Sequence, residues 1–199
     1  ANPTVAFYNH LSMDMLRKAI TSELLAADPS GLRTNQDLMV SVGMTTFHDV
    51  YVRSKDIIQM YYNLGMSQQM LLRGAIYPVL ENPGDIEAAL KLQNYHDDMF
   101  CLGGFKLQID GQGPTAYTNK PHEGTSWDMP AWEPKIFKEL VKRLHEAGYQ
   151  VNTHCIGDAA VDLTLDAYEE AMNASPRPDP RHRIEHVQHI APDDQARLG

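Results

Sequence analysis

The chain has 199 residues, 43% of them hydrophobic and 22% charged, a balance that supplies one sizeable apolar core and argues for a single domain over residues 1–199. Seventeen Lys plus Arg against 26 Asp plus Glu leave a formal charge of -9, which removes the electrostatic case for nucleic acid or an anionic membrane surface as a partner. No run is long and apolar enough to span a bilayer, no basic segment leads into an apolar one at the start, and Cys101 and Cys155 stand far apart in apolar contexts, so a cytoplasmic protein without disulfides is expected.

In chain order, "MDMLRKAITSELLAAD" (13–28) reads as an amphipathic helix. From residue 36 the chain alternates two periods. "GMTTFHDV" (43–50) is β-branched and aromatic and predicts a buried strand; "SKDIIQMYYNLG" (54–65) predicts a helix with Ser54 as cap and Gly65 as stop. "QMLLRGAIYPVL" (69–80) is a second strand, and "GDIEAALKLQNYHDD" (84–98) a helix with Ile86, Ala89 and Leu90 on one face. "GGFKLQID" (103–110) is a third strand, followed by a long loop over 111–133 rich in Gly, Pro, Thr and Asn. "PKIFKELVKRLHEAG" (134–148) is a helix opened by Pro and closed by Gly. "YQVNTH" (149–154) and "GDAAVDLTLDAYEEAMNA" (157–174) form a fourth unit, "RIEHVQHI" (183–190) a fifth strand, and "PDDQARLG" (192–199) the start of another helix.

Strands alternating with helices imply a parallel sheet, either doubly wound and open or closed into a (β/α)8 barrel. No Gly-rich dinucleotide fingerprint follows any strand, and the chemically capable residues recur at the C-terminal ends of successive strands, which favours the barrel. Five units do not close one, so an α/β partial barrel, strands two to six of a longer chain, is the expected fold, with self-association through its open edges.

Three strand-end residues stand out: Lys106 in "FKLQIDG", His154 in "VNTHCIGD" and His186 in "RIEHVQH". A lone strand lysine or histidine is ordinarily packed and hydrogen-bonded. A lysine and two histidines at equivalent places in three successive units point instead at one volume. Neutral imidazoles suit a divalent ion, zinc above all, and a lysine joins such a site only once its positive charge is removed, as in a carbamate. Asp110, Tyr117, Trp127, Trp132 and His122, in or beside the long loop, are candidates to line a substrate pocket. Asp158 reads as a helix cap, His48 and Asp49 as a structural pair, and His189 falls past its strand. His10, His96, His145 and His182 read as residues of solvated faces or turns, and the methionines between 39 and 70 as core filling.

"GFKLQIDG", "QVNTHCIGDAAVDLTLDAYEEA", "RHRIEHVQHIAPDD" and "VGMTTFHD" together resemble the amidohydrolase superfamily, and within it the amidohydrolase 3 branch that includes N-substituted formamide deformylases. The resemblance runs from about residue 36 onward and is strongest over 103–194. It implies a barrel enzyme that hydrolyses C–N bonds of small amides or formamides with one or two divalent metals, zinc expected. On it, Lys106 matches a strand-four lysine that is carbamylated in many members, and His154 and His186 match the histidine ligands of strands five and six.

The departures are three, one of them that family members are more than twice this length and carry a small β-domain built from both termini. The family's His-x-His pair is absent, because no two of the nine histidines are separated by one residue. Its strand-eight aspartate would fall beyond Gly199, so a full ligand set would draw on residues outside this chain. Two other readings remain open: a Schiff-base lyase using Lys106, and a barrel remnant that binds a small molecule or partner without catalysis.

Overall fold

The computed structural model describes residues 29–120 and 129–198, so the expected helix over 13–28 lies outside the described residues. The order of elements is α1 (Pro29–Ser41), β1 (Thr46–Val52), α2 (Lys55–Met66), β2 (Arg73–Pro78), a 3-10 turn (Pro83–Asp85) running into the single-turn α3 (Ile86–Ala89), β3 (Phe100–Leu102) and β4 (Gly104–Gln108). A second 3-10 turn (Gly113–Thr115), α4 (Pro134–Glu146), β5 (Gln150–Cys155), α5 (Asp158–Ala174), β6 (Arg183–His186), α6 (Pro192–Gln195) and a last 3-10 turn (Ala196–Leu198) follow.

Every strand pair is parallel and in sequence order, β1-β2-β3 and β4-β5-β6. The two ladders are joined where Gly103 N–H donates to Ile76 O and Leu80 N–H to Lys106 O, both at 3.0 Å. β4 is therefore the third predicted strand (103–110), and β3, just before that range, was not foreseen; Gly103 separates the two. A Cβ on Gly104 would lie 2.1 Å from Gln150 O, and its φ of +152° suits glycine alone.

One contact distinguishes a curled sheet from a flat one. His48 on β1 and Arg183 on β6 meet with Nη1 3.3 Å from Nδ1. Four strand spacings in a flat sheet come to about 19 Å, beyond the combined reach of the two side chains. The sheet curls around this face, as part of a (β/α)8 barrel requires.

Alternation along the strands sorts side chains between helices and barrel interior. Phe105, Leu107, Ile109, Val151 and Cys155 share one buried core with Phe137, Val141 and Leu144 of α4 and Val161, Leu165 and Tyr168 of α5. The intervening Lys106, Gln108, Asn152 and His154 face the interior and are buried there too. Both cysteines are free. Among the described residues no helix is long and apolar enough to cross a membrane.

Several expectations need correction. Ser54 caps α2, accepting from Ile57 N–H, but the helix runs through Gly65. Gly65 is required by packing, since a Cβ there would lie 2.4 Å from Phe100 Cδ1. The helix expected over 84–98 stops after one turn, and at the far end of that range Asp97 accepts from Met99 N–H and Phe100 N–H at 2.7 Å each, fixing a turn where helix was expected. α1 went unforeseen, although Pro29 in its first turn and Gly43 at φ +82° just beyond it are start and stop signals. The fifth strand ends at His186, where positive φ at His186 (+80°) and Val187 (+47°) turns the chain away. Met70 is buried, but Met44 and Met66 are exposed. Gly157, with Asp158 next in the first turn, is the cap residue of α5, because a Cβ at 157 would lie 1.9 Å from Tyr117 O.

Candidate active site

The third strand, β5 and β6 deliver Lys106, His154 and His186 to one end of the interior. β5 is centred in its ladder: Gln108 pairs with His154 on one side and Glu185 on the other. The rings of His154 and His186 lie edge to face with centroids 4.5 Å apart. His186 reaches that position only through its left-handed backbone, and the following β-branched Val187 is left-handed as well. Such conformations cost on the order of 1–3 kcal/mol each and persist where surrounding structure imposes them. Here the turn is held by Val187 N–H donating to Cys155 O and His189 N–H to Ile156 O, both at 3.0 Å.

Burial tunes the charges of this end. Lys106 is 2% exposed, and desolvation brings its ammonium down to about 8, with Glu185 acting in the opposite direction. His186 is lowered by burial first and by Lys106 second, which favours the neutral imidazole a metal needs. His154 Nε2 lies 3.4 Å from the carbonyl oxygen of Gly111 and 3.5 Å from Asp110 Oδ1. A carbonyl only accepts, so the proton of that contact sits on Nε2.

Asp110, expected beside the substrate, is 1% exposed and turned into the backbone. Its carboxylate accepts from Ile156 N–H (3.0 and 3.1 Å), Gly157 N–H (2.8 Å) and Tyr117 N–H (3.1 Å). Burial pushes it up to about 6 against the pull of those donors. It thus ties the loop after β4 to the start of α5. The same junction is closed by Asp158, whose carboxylate accepts from Asn119 N–H at 2.9 Å and Asn119 Nδ2 at 3.0 Å. Tyr117 and Trp132 are half-buried against the core, while Trp127 and His122 lie outside the described residues.

Beneath the two rings is a polar layer that the sequence reading did not single out. Arg183 donates to Glu185 Oε1 from Nε (3.0 Å) and Nη2 (2.6 Å) and stands over the Tyr77 ring. Tyr51 donates to Gln108 Oε1 at 3.0 Å. The signal was there: Gln108, Asn152 and Arg183 stand at even spacing from Lys106, His154 and Glu185, and hence on one face. Asp49, by contrast, faces outward and accepts from Tyr61 on α2 at 3.0 Å.

Among the described residues no three His, Cys, Asp or Glu side chains are grouped to hold an ion. The end of the barrel therefore offers two imidazoles and a buried amine.

Comparison with known proteins places this arrangement. Over 150 residues the chain is 29% identical to Protein LONG AFTER FAR-RED 3 of Arabidopsis thaliana, a match covering 73% of this chain and 26% of that protein. Two solved structures described as uncharacterized metal-dependent hydrolases share the fold. That from Pyrococcus horikoshii OT3 has a TM-score of 0.75 at 21% identity and that from Pyrococcus furiosus 0.74 at 24%, covering 96% and 94% of this chain and 39% of each neighbour. The chain thus spans well under half the length of the relatives it matches. The fold is part of the barrel of metal-dependent hydrolases, and since the family model matches residues 8–199, the chain belongs to the amidohydrolase family.

Proposed function

We propose that this chain is the ligand-bearing part of a metal-dependent hydrolase that cleaves the C–N bond of a small amide, of the N-substituted formamide type, in the cytoplasm. The observation that carries the reading is the meeting of His154 and His186 at 4.5 Å beside a buried, charge-depressed Lys106. On this reading His154 offers Nδ1, His186 its neutral ring, and Lys106 the oxygens of a carbamate, with zinc as the ion and further ligands from outside the described residues. A bound divalent ion would supply a water acidified toward neutrality and polarise the scissile carbonyl. The chain's own residues do the holding. Asp110 fixes His154 and the loop over the site, and the Arg183–Glu185 pair supports the layer below. Self-association through open sheet edges belongs to the same proposal, whereas nucleic acid and membrane surfaces do not.

The test is metal removal from the full-length protein. Chelation should abolish amide hydrolysis and zinc should restore it; hydrolysis that persists after complete loss of metal would sink the reading. The depressed Lys106 also suits a Schiff-base nucleophile. Borohydride trapping of a substrate adduct on Lys106 would favour that second reading.

A further inference from the structure

The inner polar layer holds one group whose hydrogen bonding is incomplete. Asn152 is 0% exposed, and among the described residues neither its Nδ2 nor its Oδ1 has a hydrogen-bond partner. The Tyr77 hydroxyl is close enough to feel the amide, whose influence on it is smaller than those of burial and Arg183. Leaving such an amide buried and unpaired costs about 1–3 kcal/mol for each group, and a leucine would fill the same space without that penalty. Asn152 is the β5 partner of Lys106 in the parallel ladder and shares its face. It lies two residues before His154, directly under the site.

The two orphan atoms differ in kind, one a donor and the other an acceptor. A lysine ammonium only donates, so it would satisfy Oδ1 and leave Nδ2 unpaired. One amine nitrogen cannot face both ends of an amide with linear bonds. A carbamate on the same nitrogen carries an N–H and two oxygens, and so offers a partner for each.

We propose that Asn152 is a positioning residue whose amide holds a carbamate on Lys106, a role that rests on the metal-hydrolase reading above and deepens it. The step is balanced by carbon dioxide as the co-reactant. The neutral Lys106 nitrogen attacks the carbon, an N–C bond forms, one C–O π pair moves onto oxygen, and the nitrogen gives one proton to solvent. Nothing is oxidised or reduced.

The experiment loads the full-length protein with 13C-bicarbonate and reads the carbamate carbon by NMR, with Lys106→Ala as the assignment control. In the parent protein a labelled carbamate that vanishes in Lys106→Ala is expected. Asn152→Leu should lower that signal at least tenfold while the thermal midpoint holds or rises, because an apolar side chain of similar volume replaces an unpaired amide. Asn152→Ala, read the same way, guards against a packing fault peculiar to leucine. A carbamate retained in both variants overturns the role of Asn152 and leaves the metal reading intact. Absence of any labelled carbamate in the parent protein overturns both this role and the carbamate part of the proposed function.

Discussion

Two pairs of histidines lie within this chain, and they are built in opposite ways. His145, on α4, and His182, before β6, are joined Nδ1 to Nε2 at 2.8 Å. Val151 N–H donates to His182 Nδ1 at 3.0 Å, so His182 Nε2 must carry the proton and give it to His145 Nδ1. His145 Nε2 then donates to Ser175 O at 2.7 Å, and every ring nitrogen in the chain of bonds is assigned. His145 is 1% exposed, and the Tyr168 ring packs on His182 with centroids 4.9 Å apart. The pair of His154 and His186, by contrast, meets ring to ring, beside a lysine, at the end of a barrel. A pair saturated by protein groups stabilises the fold. On the function proposed above, the pair at the strand ends, with its left-handed backbone at His186, serves to hold a metal ion.

The contrast can be broken by substitution, and the largest effect should come from the presented pair. In the full-length protein, His154→Ala or His186→Ala should reduce metal affinity by at least about 100-fold, the upper range for losing even an outer-shell partner. Thermal stability of the metal-free protein should scarcely move. For His145→Leu or His182→Leu the pattern should invert. Metal content should hold while stability falls by about 2–4 kcal/mol, because each change strands at least one buried donor or acceptor. Calorimetry and metal analysis on the four variants decide it, and equal stability losses in both pairs would erase the distinction.

A smaller effect sharpens the same point through pH. Burial lowers His182 to about 4, with His145 and Arg177 adding to the shift. Tyr168 and Val151 face it as neutral groups. In the unfolded chain a histidine titrates near 6.5, so between about 4 and 6.5 the unfolded state binds more protons. The contribution of His182 is therefore fully present above about 6.5, is lost as pH falls toward 4, and stays lost below. His182→Gln retains an acceptor and a donor without titrating. Its stability should show a flatter slope than the parent protein over that window in denaturant titrations. Parallel slopes would show that the pair does not govern acid sensitivity.

Why one pair was legible in the sequence and the other was not follows from where the partners lie. His154 and His186 could be found because barrel geometry converts recurrence at strand ends into spatial convergence. The register of β4, β5 and β6 then follows from alternation. His145 and His182 read as surface or turn residues because each stands at an element's edge, and their partnership spans 37 positions through a tautomer chain that no local pattern encodes. Other misses have the same cause. Gly65 looked like a helix stop but exists to let Phe100 approach, and Asp110 looked like a pocket residue but binds three backbone N–H groups up to 47 positions away. Asn152 is hardest of all, since what marks it is that its amide finds no hydrogen-bond partner among the described residues.

The smallest predicted effect asks whether saturation alone stabilises when burial is removed. Arg197, after α6, reaches Asp162, Asp166, Glu169 and Asp194 at 2.7 to 3.0 Å, with Asp162, Asp166 and Glu169 presented by α5. Its guanidinium is as fully bonded as His145, and its pKa is raised, first by Glu169. Three of those four carboxylates are about half exposed or more, and water replaces lost partners there at little cost. Arg197→Ala should therefore cost about 1 kcal/mol or less and do so only at low ionic strength. A loss matching that of His145→Leu at high salt would mean that the number of bonds outweighs burial, and the account of the histidine pairs would have to be rebuilt on bond count.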